Sequence, residues 1–171
     1  MLTDFFQLEL LTISAENSKN KVEVGDKAPL FSLPDMNGQI VHLKDYIGKK
    51  ILVVYFYPKN ETAGCTTEAC TFRDRYELFK KADAEVIGIS GDSIDSHTDF
   101  STKYKLPFIL LSDEDNSVRR NYGVKATFGL IPGRVTYIID KKGIIRHIFI
   151  SQFNPKKHVD EALKIIEEIN V

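Results

Sequence analysis

Cysteine is scarce in this sequence: there are two in 171 residues, Cys65 and Cys70. In a chain without a legible export signal such a pair reads as reduced thiols, more often than as a structural staple, because the cytosol keeps thiols reduced. Basic runs are missing as well, and the formal net charge is −1. That leaves no electrostatic footprint for nucleic acid or for an anionic membrane surface. The opening stretch "MLTDFFQLELLTISAENS" carries Asp4, Glu9 and Glu16 but neither Lys nor Arg, unlike a secretory signal or a transit peptide. Its Leu2, Phe5, Phe6, Leu10 and Ile13 fall near helical spacing. The polar face is acidic, however, and the segment is too short to span a bilayer. Residues 1–20 are therefore expected to form a frayed or packed-on extension ahead of a single domain over 21–171.

Several kinds of site are also absent. None of His42, His97, His147 and His158 lies within three or four residues of a cysteine or of another histidine, so zinc spacing is lacking. His97 is spaced to share a helix face with Phe100 and Tyr104, and His147 alternates with Ile145 and Phe149; both read as core-edge histidines. "GISGDS" has neither a Gly-Lys-Ser/Thr nor a G-x-G-x-x-G pattern, and no serine sits in G-x-S-x-G. "LLSDEDNSV" lacks the glycine and terminal Glu of a calcium loop. Asn60-Glu61-Thr62 matches a glycosylation acceptor only formally. These exclusions leave chemistry on small molecules or other proteins, with no metal and no organic cofactor.

What is present is a strand-helix alternation. "VEVGDKAPLFSLPDMNGQIVHL" predicts a lead-in and an N-terminal β-hairpin turning at Asn37-Gly38. Ile51 to Tyr57, "ILVVYFY", is nearly all β-branched and aromatic and suits a central strand buried on both faces, ended by Pro58. A helical period follows over Thr66 to Lys81, then the strand "EVIGIS", a helix over Ile94 to Tyr104, the strand "FILL" and a short helix over Ser117 to Asn121. "RVTYIID" and "IIRHIFI" flank a hairpin signal at Lys141-Lys142-Gly143, and a last helix puts Val159, Ala162, Ile166 and Ile169 on one face. The fold class is α/β, a central mixed sheet flanked by helices.

The two cysteines sit where the buried strand gives way to a helix. A turn containing Thr62, Ala63 and Gly64, then a helix beginning at Cys65 or Thr66, puts Cys65 among unpaired amides at the positive end of a helix dipole. That position favours a thiolate and makes Cys65 a candidate nucleophile. Cys70 lies about 140° around the helix and about 7.5 Å further along it. The two sulfurs cannot bond while the helix is intact, so either they never pair or pairing requires local unwinding.

Pro58, Thr62 and Cys65 match a Pro-x-x-x-Thr-x-x-Cys signature. With "DKAPLFSLPDMNG", "EVIGISGDS", "LPFILLSDEDNSVRRNYGV" and "FGLIPGRVTYIID", the chain from about Val22 onward resembles the peroxiredoxins of the Q type, the bacterioferritin-comigratory-protein group. The resemblance implies a thioredoxin-like fold and a thiol-specific peroxidase acting on H2O2 and organic hydroperoxides. Cys65 would be the peroxidatic thiolate and Cys70 the resolving cysteine. They would form an intramolecular disulfide that a thioredoxin or glutaredoxin reduces. Thr62, the Gly64-Cys65 amides and Arg134 would bind the peroxide, and Pro58 would shield the sulfur. Arg73, Arg75, Arg119, Arg120 and Arg146 compete with Arg134 by composition, and only the motif selects it. Glu68 either orients an arginine or satisfies the helix dipole, with capping set ahead. Ala63 stands where the family usually has Pro, which loosens the turn before Cys65 and bears on peroxide affinity or rate. The resemblance further implies a monomer. The cytosol is the expected compartment, with a plastid as the alternative for a processed chain. Two rival readings remain open: a thiol-disulfide oxidoreductase, disfavoured because such enzymes use C-x-x-C, and a redox sensor whose helix switches on oxidation.

Overall fold

The computed structural model describes residues 21–171. The extension expected over 1–20, with its Leu2 to Ile13 helix, lies outside the described residues. The hairpin comes first, with β1 (Ser32–Pro34) paired antiparallel to β2 (Ile40–His42). Asn37-Gly38 does turn the chain, within a loop longer than two residues. The Asp35 carboxylate accepts from the Asn37 and Gln39 amides at 2.8 and 3.0 Å, and Gly38 takes a φ of 80° that glycine adopts without strain.

The main sheet is built around β3 (Ile51–Phe56), in which every residue is buried. β4 (Ala84–Ser90) and β5 (Ile109–Ser112) continue it in parallel on one side. β6 (Val135–Ile139) and β7 (Ile145–Ile150) continue it antiparallel on the other, giving the order β5-β4-β3-β6-β7. Helical crossovers make the parallel pairs possible. α1 (Ala63–Asp74) and α2 (Tyr76–Lys81) link β3 to β4, and α3 (Ile94–Tyr104) links β4 to β5. α4 (Ser117–Asn121) precedes β6, and α5 (Pro155–Ile169) closes the chain. Among the described residues, no helix is long and apolar enough to cross a membrane.

Because side chains alternate along a strand, β3 feeds two cores. Ile51, Val53 and Tyr55 pack with Ala69 and Phe72 of α1, Phe79 of α2 and Val159, Ala162 and Ile166 of α5. Leu52, Val54 and Phe56 pack on the other face with Leu43, Val118, Tyr122 and Tyr137. The same alternation sends Tyr137 to that second core and Ile138 to the first. Arg134 and Thr136 are in phase with Ile138, on the face that α1 and α5 cover.

The helix expected over Thr66 to Lys81 differs in two respects. It breaks at Arg75 (φ −109°, ψ 7°), whose amide is shared between the Thr71 and Phe72 carbonyls, and both halves still send an aromatic, Phe72 and Phe79, into one core. It also begins earlier, at Ala63, with Thr62 at the N-cap and Thr66 N–H closing the first turn on the Thr62 carbonyl at 2.9 Å. Gly64 and the threonines are weak helix formers and hid this start from the pattern. Ala63 thus occupies the first helical position, not the turn before it. Proline is tolerated there because the amide has no intrahelical acceptor, and Thr62 at φ −78°, ψ 149° is already in the conformation that precedes proline. Ala63→Pro is expected to stabilise the fold by about 0.4–1 kcal/mol. Thermal unfolding should show a Tm about 1–4 °C higher; a lower Tm would mean that the first turn is strained.

Candidate active site

Beyond β3 the chain passes through Tyr57 and Pro58 into a tight turn in which Glu61 takes the left-handed conformation, φ 64°. α1 then starts at the carboxyl end of the central strand, and Cys65 is its third residue. Cys65 is 1% exposed, and its Sγ accepts from Arg134 Nη2 at 3.3 Å. The fold therefore joins two residues far apart in sequence, one at the start of a helix and one at the start of β6. Pro58, Thr62, Ala63 and Gly64 line an open cleft of about 440 Å³ with Arg134, Ile131, Gln152 and Phe153. The first-turn amides of Ala63, Gly64 and Cys65 have no intrahelical acceptor. The Thr62 hydroxyl donates to the Lys59 carbonyl at 2.9 Å, so its hydrogen serves the turn and its oxygen is left as an acceptor. Cys70 is half-buried on the same intact helix, and both thiols are free.

Arg134 is fixed from three directions. Nη1 donates to Glu68 Oε1 at 2.9 Å, Nε to the Gln152 carbonyl at 3.1 Å, and Nη2 to the sulfur. The Gln152 side-chain oxygen in turn accepts from the Arg134 amide at 3.2 Å and from the Thr127 hydroxyl at 2.9 Å. Gln152 had no motif to announce it; its one signal is a place just past β7, beside the start of β6. The expectation that Glu68 caps the helix is corrected. It follows Cys65 by three residues, shares the inward face of α1 and is fully buried against Arg134.

Burial pushes the Glu68 carboxyl up to about 8 against the opposing pull of Arg134. The acid form suits the geometry, because Oε2 has no hydrogen-bond partner. Its near neighbour, His158 Nδ1 at 3.8 Å, belongs to a neutral ring, held at about 4 by burial. His158 Nε2 donates to the Ser151 carbonyl at 2.8 Å, and Nδ1 stands 2.8 Å from the Thr136 hydroxyl. Burial opposes the charge on Arg134, but Glu68, once ionised at higher pH, and Cys65 outweigh it, so the guanidinium is held above its ordinary range and stays charged in either form of Glu68. With Glu68 protonated, that charge is left for the sulfur.

The competing arginines lie elsewhere. Arg73 donates to the Tyr104 carbonyl, Arg75 pairs with Asp160, Arg120 donates to the Asp115 carbonyl and Arg146 pairs with Asp140. Arg119 is buried and braces the site: Nη2 holds the Tyr57 carbonyl at 2.7 Å and Nη1 the Gly133 carbonyl at 2.8 Å. It thereby fixes the residues just before Pro58 and Arg134. His97 is fully buried and hydrogen-bonded, as its spacing suggested. His147, half-buried, faces Glu161. Among the described residues, no group of three or more His, Cys, Asp or Glu could hold a metal ion.

Fold and site together define a thiol peroxidase of thioredoxin-like fold. The model of the AhpC/TSA family matches residues 24–148. Chloroplastic peroxiredoxin Q of Arabidopsis thaliana is 57% identical over 148 residues, which cover 86% of this chain and 68% of the relative. That of Oryza sativa subsp. japonica is 55% identical over 150 residues, 87% and 69% of the two chains. The chain belongs to the AhpC/TSA family, as a peroxiredoxin of the Q type. Solved structures agree. Peroxidoxin BcpB of Mycobacterium tuberculosis superposes with a TM-score of 0.80 at 32% identity, covering 86% of this chain and 98% of that one. The bacterioferritin comigratory protein of Xanthomonas campestris, described for alkyl peroxide reduction, gives 0.74 at 30% identity and covers 82% and 92%.

A Cβ on Gly64 would stand 3.0 Å from Arg134 Nη2. Gly64→Ala should push the guanidinium a few tenths of an ångström from the sulfur and slow Cys65 oxidation about tenfold, less than the roughly 10²-fold of a full 1 Å misplacement. Stopped-flow oxidation by H2O2 checks this, and an unchanged rate would show that the guanidinium has room to shift. The raised Glu68 value also fixes a sign. A carboxyl with a folded-state value of about 8, above its ordinary 4.5, contributes stability at low pH that is lost as pH rises through 8. The Tm of the wild type should fall relative to Glu68→Gln between about pH 5 and 8; parallel curves would mean that Glu68 is ionised throughout.

Proposed function

We propose that Cys65 is the peroxidatic thiol and Cys70 the resolving one. The observation that carries this is a buried sulfur in the first turn of α1, 3.3 Å from a fixed guanidinium. The Cys65 thiolate attacks the terminal oxygen of H2O2 or an organic hydroperoxide. An S–O bond forms, the O–O bond breaks, and water or an alcohol leaves after taking up a proton. Arg134 and the first-turn amides stabilise charge on the peroxide oxygens, the Thr62 oxygen accepts a hydrogen bond from the peroxide, and Pro58 keeps water from the sulfur. The Cys70 thiol then attacks the sulfenic sulfur and expels water, leaving a Cys65–Cys70 disulfide. Because the two lie on one helix about 7.5 Å apart along its axis, the first turns of α1 must unwind for this step.

The disulfide is reduced by exchange with a thioredoxin-type or glutaredoxin-type protein. Organic hydroperoxides are supported as substrates by the alkyl peroxide reduction described for the Xanthomonas relative, and by the exposed Ile131 and Phe153 on the cleft wall. The thiol-disulfide oxidoreductase reading is disfavoured by the burial of Cys65, since a protein disulfide would have to reach a covered sulfur. Membership of the Q type favours a monomer as the functional unit. The chloroplastic relatives favour the plastid over the cytosol.

In a thioredoxin/thioredoxin-reductase coupled assay, NADPH consumption should vanish in Cys65→Ser. It should fall in Cys70→Ser while one rapid oxidation survives. Arg134→Gln should slow that first oxidation about 10²–10³-fold, the usual cost of one charge-stabilising donor. Full turnover in Cys70→Ser would remove Cys70 from the cycle, and peroxide-insensitive thiols in the wild type would overturn the assignment of Cys65.

A further inference from the structure

The turn that carries Pro58 and Thr62 into the cleft is poorly supported from within. The one side-chain hydrogen bond it makes to itself is Thr62 to the Lys59 carbonyl, and Glu61 sits in a backbone region that side chains rarely adopt. At the surface the Glu61 carboxylate accepts from Lys103 Nζ at 3.0 Å and from the Tyr104 hydroxyl at 3.2 Å, both on α3; the buried support comes through Asn60. That residue is buried and does not line the cleft. Its amide N–H donates to Asp92 Oδ2 at 2.9 Å, and its side-chain oxygen accepts from the Tyr57 hydroxyl at 2.7 Å. Its side-chain nitrogen donates to Ser96 Oγ at 3.0 Å and reaches His97 Nδ1 at 3.1 Å. His97 is fully buried on α3, and accepting at Nδ1 places its own hydrogen on Nε2.

We propose that Asn60 and His97 are positioning residues of the peroxide site: they clamp the Pro58–Thr62 turn to β4 and α3, and so set where the Thr62 hydroxyl and the first amides of α1 point.

The network has no chemistry of its own. Ser90 stands 3.5 Å from His97 Nε2 beside Asp92, the residue types of a nucleophilic triad. Ser90 is nevertheless fully buried and gives its hydrogen to Asp92 Oδ2 at 2.6 Å. None of these side chains lines the cleft. Their effect passes through the turn alone, whereas the Cys65–Arg134–Glu68 cluster is held separately by β6 and Gln152. Loosening the clamp therefore separates two properties that an ordinary loss of stability would lower together. Peroxide alignment suffers, while the intrinsic reactivity of the sulfur survives.

The inference rests on Cys65 being the peroxidatic thiol, and the test keeps the two claims apart. In a Cys70→Ser background, two rates are measured: Cys65 oxidation by H2O2, in competition with a haem peroxidase, and Cys65 alkylation by iodoacetamide. Asn60→Ala and His97→Leu should lower the peroxide rate about tenfold or more with alkylation within about twofold, as expected for lost orientation. Peroxide rates at the parent value in the folded variants would overturn the proposal, as would equal loss of both rates. Should either truncation not fold, Tyr57→Phe decides. This variant removes one hydrogen bond to Asn60, and a peroxide rate lowered about threefold at unchanged alkylation supports the clamp, while an unchanged peroxide rate overturns it. A parent that alkylates but does not react with H2O2 would defeat the peroxidatic assignment, and the clamp with it.

Discussion

The contact between the Arg134 guanidinium and the Cys65 sulfur is the constraint around which the rest of the structure is arranged. A cation in a buried position is costly unless its donors are met. Here three of them are, by Glu68, by the Gln152 carbonyl and by the sulfur. Two of these partners, Cys65 and Glu68, lie on α1 and the third follows β7. Meeting the demands of one arginine therefore fixes α1, the start of β6 and the segment after β7 relative to one another. Gly64 belongs to the same arrangement, since a side chain there would crowd the guanidinium. Arg119 holds the carbonyls that precede Pro58 and Arg134, so a second buried arginine sets the place of the first.

The charge balance of the site follows from burial. Glu68 is the one acid against Arg134, and its unpartnered oxygen together with the neutral His158 favours the protonated form. An ionised Glu68 would neutralise Arg134 and leave less of its field for a thiolate. A helix that must be intact to assemble this cluster is also, on the proposed cycle, one that must open for Cys70 to reach Cys65. Its sequence suits both demands. The first turn contains Gly64 and Thr66, which contribute little intrinsic helicity, and its stability comes from the buried Cys65, Glu68, Ala69 and Phe72.

Most of the fold was legible because its signals are local. The all-apolar run at Ile51, the Asn37-Gly38 and Gly143 turns, the bounds of α3 and α4 and the apolar face of α5 all reflect periodicities that a short window contains. The helix carrying the cysteines ends where it was expected, at Lys81, but was misread at its start and at a break within it. Its start consists of weak helix formers held by tertiary contacts, and its break at Arg75 leaves the periodic pattern undisturbed. In the site, Cys65, Thr62 and Pro58 were legible as a spaced signature on one segment. Arg134 was indistinguishable from five other arginines by composition, and a family motif alone picked it out.

The sequence by itself determined that Cys65 would sit at a helix start beyond a buried strand, because that succession is written within a dozen consecutive residues. It also determined that Cys65 and Cys70 cannot bond on an intact helix, because that follows from spacing. Composition and spacing left the facing arginine open, and tertiary structure decided that Arg134 reaches the sulfur, that Glu68 turns inward and that Gln152, Arg119 and Asn60 hold the site in place. These depend on the antiparallel entry of β6 beside β3 and on the crossing of α1 over it. Such long-range pairings leave no trace in the spacing of neighbouring residues.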